Sequence, residues 1–320
     1  MTQRITATSV SPAGDVWLAI WRVADPKITL ASVASMIVGT SVAASHGPIS
    51  WPWLACTVLG IFCIEAAKNA SGEIFDWDSG ADQGLRNDER TPFSGGKRVL
   101  VDGLMTRRQC AVMAAAFYAV GVGAGLAIVL WREPSVLWLG VLGVALAYFY
   151  HAPPLSFSYH GLGEAAVALA YGPVIACGTY LVQRNAISSE VILLSIPLGL
   201  GIMAFLWINE FPDARADEAA GKRTLVVRLG RPLAARFFVA LVLAPYVGVL
   251  ALPWLGLPLG VLGGFIGFPL ALLAARRLLQ FSDTPAQLVP AQARTLFSFV
   301  LFAIGSGVGL WLTAAVPLLL

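Results

Sequence analysis

The chain has 320 residues, 58% of them hydrophobic and 12% charged, about half the charged share, roughly 25%, of an ordinary soluble domain. That excludes a water-soluble fold and points to an all-α integral membrane protein. The net charge of +3 needs no nucleic acid to explain it, because membrane topology and anionic lipid account for basic residues gathered on one side.

Apolar stretches of about 20 residues, the length that crosses a hydrocarbon core as helix, recur at 28–45, 51–68, 109–131, 136–151, 162–182, 190–209, 233–254, 257–275 and 296–316. They predict one domain, 1–320, built as a bundle of about nine transmembrane helices. Helix follows because backbone polar groups must be satisfied within lipid, and the ten-residue alternation of barrel strands is missing. Residues 1–27 hold no long apolar core and read as a cytoplasmic tail, not a signal peptide. Of the 21 Lys and Arg, all but Arg132 and Arg184 fall in that tail or at the even-numbered connections. The positive-inside rule then predicts a multi-pass protein of the cell membrane with its N-terminus cytoplasmic and its C-terminus outside. Cys56, Cys63, Cys110 and Cys177 stand singly in or beside apolar segments and read as packing residues.

Within the second span, near its cytoplasmic end, Glu65 and Lys68 lie in an otherwise apolar helix. Either they pair with each other, or one faces a cavity and handles an acceptor proton. Two connections, 69–108 and 209–232, are long and polar and read as the catalytic loops. They hold 11 of the 18 acidic residues: Glu73, Asp76, Asp78, Asp82, Asp88, Glu89 and Asp102 in the first, Glu210, Asp213, Asp217 and Glu218 in the second. The two resemble each other. Gly72-Glu73-Ile74-Phe75-Asp76 answers Asn209-Glu210-Phe211-Pro212-Asp213, and Ala81-Asp82 with Arg90-Thr91 answers Ala216-Asp217 with Arg223-Thr224.

Asn209, Asp213 and Asp217, four apart, share one helix face within reach of one cation, with Pro212 a candidate kink or end. Asp76 and Asp82, with Glu73 nearby, make the first set, and Gly80 lets the backbone bring Asp82 back. Hard divalent cations take such oxygens, and magnesium completes its shell with water and substrate phosphate. Basic residues follow each acidic set: Arg90, Lys97 and Arg98, then Lys222 and Arg223. Acid first and base behind fits a metal-bridged polyphosphate, the bases neutralising the leaving group. Gly95-Gly96 offers backbone amides to phosphate, although no Walker-type loop is present.

A third segment, Tyr148-Phe149-Tyr150-His151-Ala152-Pro153-Pro154, leads through Tyr159-His160-Gly161 into the fifth span. Tyr150 or Tyr159 suits a phosphate hydrogen bond or a ring facing a developing cation, and an interfacial aromatic belt accounts for them equally. His160 is a candidate phosphate donor or a plain surface histidine.

The run Asn209-Glu210-Phe211-Pro212-Asp213-Ala214-Arg215-Ala216-Asp217, continuing Gly221-Lys222-Arg223-Thr224-Leu225, resembles the second aspartate motif of the UbiA-type intramembrane prenyltransferases. Phe75-Asp76-Trp77 through Asp82 is similar to the first motif, and Tyr150, Pro153-Pro154-Leu155 and Gly161-Leu162-Gly163-Glu164 to the central segment. The Asp76 to Asp82 separation and the Gly-Lys-Arg-Thr-Leu run are most similar to the MenA-like branch, which prenylates 1,4-dihydroxy-2-naphthoate on the way to menaquinone. The resemblance implies two magnesium ions bridging a polyprenyl diphosphate. One would be held by Asn209, Asp213 and Asp217, the other by Asp76 and Asp82 with Glu73 or Asn69. It further implies Tyr150 beside an allylic cation and an electron-rich aromatic acceptor attacking it. Two departures stand out: Gly72-Glu73 where the family has Asn-Asp, and Ser156, Ser158 and His160 where it has basic residues, which shifts diphosphate contact toward Lys97 and Arg98. Hydroxybenzoate, homogentisate, a porphyrin-derived ring or a lipid glycerol are rival acceptors. The rival class is a secondary transporter, whose repeats also break at helix ends, but whose coupling residues belong near the midplane.

Overall fold

The structure, a computed structural model, describes residues 13–315. Its elements in chain order are α1 (Ala13–Ala24), α2 (Pro26–Ser45), α3 (Trp51–Ser79), the single turn α4 (Ala81–Gly84), α5 (Arg107–Trp131), α6 (Val136–Phe149), α7 (Gly163–Leu169), a π-helical turn at Ala170–Val174, α8 (Ile175–Arg184), α9 (Ser189–Ala219), the short α10 (Leu225–Leu229), α11 (Arg231–Ala251), α12 (Phe268–Phe281) and α13 (Val289–Ala315). Two 3₁₀ segments, Leu252–Leu255 and Leu259–Gly267, join α11 to α12. No strand forms among the described residues.

Eight segments are long and apolar enough to cross a membrane, beginning at Pro26, Trp51, Arg107, Gly163, Ser189, Arg231, Leu259 and Val289. The remaining predicted span is α6, which has only 14 residues and is about 21 Å long, short of the roughly 30 Å hydrocarbon core. Two helices overshoot instead. α3 has 29 residues and α9 has 31, so they reach about 44 and 47 Å. Residues 69–79 and 209–219, read from the sequence as the starts of loops, are therefore the projecting last turns of these helices. Pro212 sits inside α9 without ending it. α3 stops at Gly80, whose φ of 83° suits a residue without a Cβ, and the single turn of α4 then carries Asp82.

The main core packs α2, α8, α9, α11, α12 and α13 around fully buried Phe211, Phe238, Phe299 and Phe302. Gly260 and Gly263 of the second 3₁₀ segment press on Gly309 and Gly305 of α13 so closely that a Cβ at any of the four would strike backbone. Such small-residue contacts let backbones approach where lipid gives helices no hydrophobic drive to associate. A second cluster joins Ala19 and Val23 of α1, Ala66 and Ala70 of α3, Val99 and Leu100 of the loop, and Cys110 and Ala114 of α5. It pins the 85–106 loop against the end of α3. Trp17 and Trp21 remain exposed on α1, as on a helix lying in the membrane interface. All four cysteines are free thiols.

Candidate active site

The projecting ends of α3 and α9 face each other across one lysine. Gly221, at φ 77°, lets the chain reverse after α9, and the Lys222 amide donates back to the Asp217 carbonyl at 2.8 Å. Lys222 Nζ then stands 3.6 Å from Asp76 Oδ2 on α3 and 3.6 Å from Asp217 Oδ1 on α9. The two repeated motifs thus converge on a single cation. Tyr159 closes the side: its hydroxyl donates to Asp76 Oδ1 at 2.8 Å, and its ring lies 5.6 Å from Lys222 Nζ. Burial lowers the Lys222 pKa, but Asp217 and Asp76 outweigh it and hold the ammonium well above its usual range. Asp82 is pushed up to about 8, first by burial and then by the charges of Asp76 and Glu73.

The loop after α4 closes over these acids. Its Gly95 amide donates to Asp213 Oδ2 at 3.1 Å. Gly96 backs Asp82, since a Cβ there would sit 2.9 Å from the carboxyl carbon. The amide that the sequence offered to phosphate at Gly95 is given to a carboxylate. Glu73 has both oxygens engaged: Oε1 accepts the amides of Lys97 and Arg98 at 2.8 and 3.0 Å, and Oε2 those of Val99 and Leu100 at 2.7 and 3.4 Å. Four backbone donors on one carboxylate leave it little to offer a cation, so its role in this fold is to hold the loop. A second clamp joins the halves. Arg215 of α9 grips Glu89 through Nε to Oε1 and Nη2 to Oε2, both at 2.6 Å, and donates to the Gly84 carbonyl at 2.8 Å.

Three other predicted ligands, two for diphosphate and Asn69 for metal or substrate, are already engaged. Lys97 pairs with Asp25, Arg98 with Asp102 at 3.3 Å, and Asn69 Nδ2 donates to the Val23 carbonyl at 2.8 Å, tying α1 to α3. Arg90 is exposed on the loop. Arg223 and His160 line a hollow of about 570 Å³ with Tyr159, His151 and Arg228. The His160 ring lies against the Leu155 and Ser156 carbonyls at 3.0 and 3.1 Å.

Asn209 Oδ1 and Asp213 Oδ1 are buried without a hydrogen-bond partner among the described residues, a costly state for polar atoms. No three His, Cys, Asp or Glu side chains there converge closely enough to hold a cation by themselves. Asp76 with Asp82, and Asn209 with Asp213 and Asp217, are oxygen donors. They suit magnesium, which takes one or two carboxylates and completes its shell from water and phosphate.

Behind the acids, toward the membrane interior, opens an apolar cavity of about 610 Å³ walled by α3, α5, α6, α7 and α8. Tyr150 lines it, and its neighbour His151 reaches Asp76 Oδ2 at 3.6 Å, so the cavity begins where the acids end. His151 carried no role in the sequence reading. A Cβ on Gly72 would meet the His151 ring at 2.6 Å: the imidazole occupies the place of a side chain at 72. The signal for it was Gly72 itself, a missing side chain within a repeated polar motif. Glu65 and Lys68, also on the cavity wall, form no ion pair with each other; Glu65 accepts from Ser32 at 2.8 Å and Tyr171 at 2.9 Å.

The UbiA prenyltransferase family profile matches residues 32–289. The 2-carboxy-1,4-naphthoquinone phytyltransferase of Synechocystis sp. is 29% identical, covering 94% of this chain and 96% of that protein. The 1,4-dihydroxy-2-naphthoate octaprenyltransferase of Bacillus subtilis is 24% identical, covering 88% and 90%. A UbiA homolog from Archaeoglobus fulgidus, solved bound to DMAPP and Mg2+, shares the fold at TM-score 0.59 and 14% identity over 90% of this chain and 98% of that one. With a family match across most of its length, and with acids, cavity and membrane helices placed as described, the chain belongs to the UbiA prenyltransferase family.

Proposed function

We propose that this protein transfers a polyprenyl group from a polyprenyl diphosphate to 1,4-dihydroxy-2-naphthoate, a step of menaquinone biosynthesis, at the cytoplasmic face of the cell membrane. The observation that carries the reading is the convergence of Asp76 and Asp217 on Lys222 at the head of the apolar cavity. The diphosphate sits at the charged end, with Lys222 and Arg223 binding its oxygens, and the isoprenoid tail fills the cavity. Asp76 and Asp82 would hold one magnesium, and Asn209, Asp213 and Asp217 another. Bound there, magnesium would neutralise diphosphate charge and so make it a better leaving group. Diphosphate departs with the electron pair of the C1–O bond. The Tyr150 ring faces the positive charge growing at C1, a ring carbon of the acceptor bonds C1, and that carbon then regains aromaticity by losing the group it carries: a proton, or carbon dioxide where it bears the carboxylate. The N-terminus lies in the cytoplasm, α6 counts as a ninth span, and the C-terminus lies outside.

The acceptor follows the naphthoate-prenylating relatives. The test is to incubate purified protein with magnesium, labelled polyprenyl diphosphate and a panel of aromatic acceptors, then follow lipid-extractable product with and without chelator. Chelator-sensitive product from the naphthoate alone is the expected result. Product from hydroxybenzoate or homogentisate instead moves the acceptor, and failure to bind the diphosphate at all overturns the reading. In the same assay Lys222→Ala raises KM for the prenyl diphosphate about tenfold or more, the loss of one charge-assisted contact.

A further inference from the structure

The chain has four lysines, and three of them meet carboxylates: Lys27 and Lys97 with Asp25, Lys222 with Asp76 and Asp217. Lys68 does not; among the described residues its ammonium instead lies over the Tyr150 ring, 5.2 Å from the centroid. Glu65, one turn earlier on α3, is the obvious partner, but its two oxygens are turned to Ser32 and Tyr171. Lys68 thus lines an apolar cavity with no carboxylate in direct contact among the described residues, although Glu65, Asp25 and Asp76 lie near enough to act on it through space. An ammonium in that setting is expensive, and intramembrane charges of this kind serve a ligand or a pathway.

Position narrows the ligand. Lys68 lies eight residues before Asp76 on the same helix, about 12 Å deeper along its axis as the backbone rises, which sets its anion point on the cavity side of the diphosphate end. Tyr150 stands between the two, its ring beneath Lys68 and its neighbour His151 against Asp76. Resting on the prenyl-transfer reading above, we propose that Lys68 recognises the acceptor, its ammonium pairing with a carboxylate carried on the aromatic ring. An aromatic acid held in this way lies with its ring along Tyr150, and its reactive carbon, at or next to the one bearing the carboxylate, is fixed on the cavity side of the diphosphate. In a low-dielectric wall such a pair is stronger than in water, and it selects ring acids over neutral rings of the same shape.

The test compares wild type, Lys68→Met, Lys68→Gln and Lys68→Arg in detergent, with 1,4-dihydroxy-2-naphthoate and its uncharged counterpart 1,4-dihydroxynaphthalene as acceptors. Lys68→Met is expected to raise KM for the acid about tenfold or more. KM for the diol and for the prenyl diphosphate stay within twofold, and Lys68→Arg restores most of the loss. Lys68→Gln serves as the uncharged variant should the Met protein not fold. A rise in the diphosphate KM with the acid unmoved assigns Lys68 to the donor and overturns the proposal. Equal losses for acid and diol overturn it as well, because they place Lys68 on a hydroxyl or in packing. If wild type prenylates neither ring, the prenyl-transfer reading fails on its own. Binding of the acid, followed by its fluorescence without donor or magnesium, then decides Lys68: tenfold weaker binding to the uncharged variant supports the pairing, and equal binding ends it.

Discussion

Glu73 and Asp76 stand one turn apart on α3, yet their surroundings give them different duties. Glu73 spends both oxygens on four loop amides, whereas Asp76 meets Lys222, Tyr159 and His151 at the mouth of the cavity. Glu73→Ala leaves buried donors unmet and is expected to cost about 2–4 kcal/mol, read as a fall in melting temperature in detergent together with activity. Asp76→Ala is expected to abolish turnover with a smaller fall in melting temperature, because Lys222 keeps Asp217 and the Tyr159 hydroxyl keeps Ser79; a stable, inactive Glu73→Ala protein would return Glu73 to the metal set. Gly72 makes a second contrast, because any side chain there collides with His151. Gly72→Asn alone should cut activity at least tenfold and destabilise by about 1–3 kcal/mol, as overpacking does. Gly72→Asn with His151→Ala recovers part of both, and no recovery in the pair would show that the ring and the gap are unrelated. The sequence displayed the acids because their spacing repeats. It could not display His151, whose meaning depends on the space that Gly72 leaves.

At the scale of elements, eight of the nine expected spans were legible because hydropathy is a local property. The ends of α3 and α9 were not, because polar composition marks where lipid stops and says little about where backbone hydrogen bonding stops. The same limit hid the clamp between Glu89 and Arg215, partners 126 residues apart that meet only when the loop folds over α9. The Arg215 hydrogen bonds are the main cause holding the Glu89 carboxyl at about 2, below its unfolded value of roughly 4.3. A group depressed on folding contributes stability that is complete above the unfolded value and lost as pH falls through the folded one. Wild type should therefore lose melting temperature as pH falls from about 5 toward 2. Glu89→Gln starts lower, by about 1–3 kcal/mol at pH 7, and falls less steeply across that window. Melting curves of both proteins at several pH values check this, and parallel curves would remove the clamp from the account.

The whole molecule places one end of a closely packed bundle beside a looser flank. α2, α9, α11, α12 and α13 share the main core, while α5 and α6 turn much of their surface outward, with Trp131 and Trp138 among the most exposed side chains. The cavity opens against that flank, an arrangement that only the assembled helices reveal. Taken as the ninth span proposed above, α6, at 14 residues, is about 9 Å shorter than a roughly 30 Å apolar slab. Lipid beside it must compress or tilt to keep its polar ends wet, at fractions of a kcal/mol per Å of mismatch. On that proposal the cavity wall is coupled to bilayer thickness. Reconstituted in nanodiscs of graded acyl length, the protein is expected to turn over fastest in the shorter-chain lipids and to slow severalfold as the acyl chains lengthen. The enzyme would then work as a gauge of the membrane that houses it, with α6 as the sensing edge.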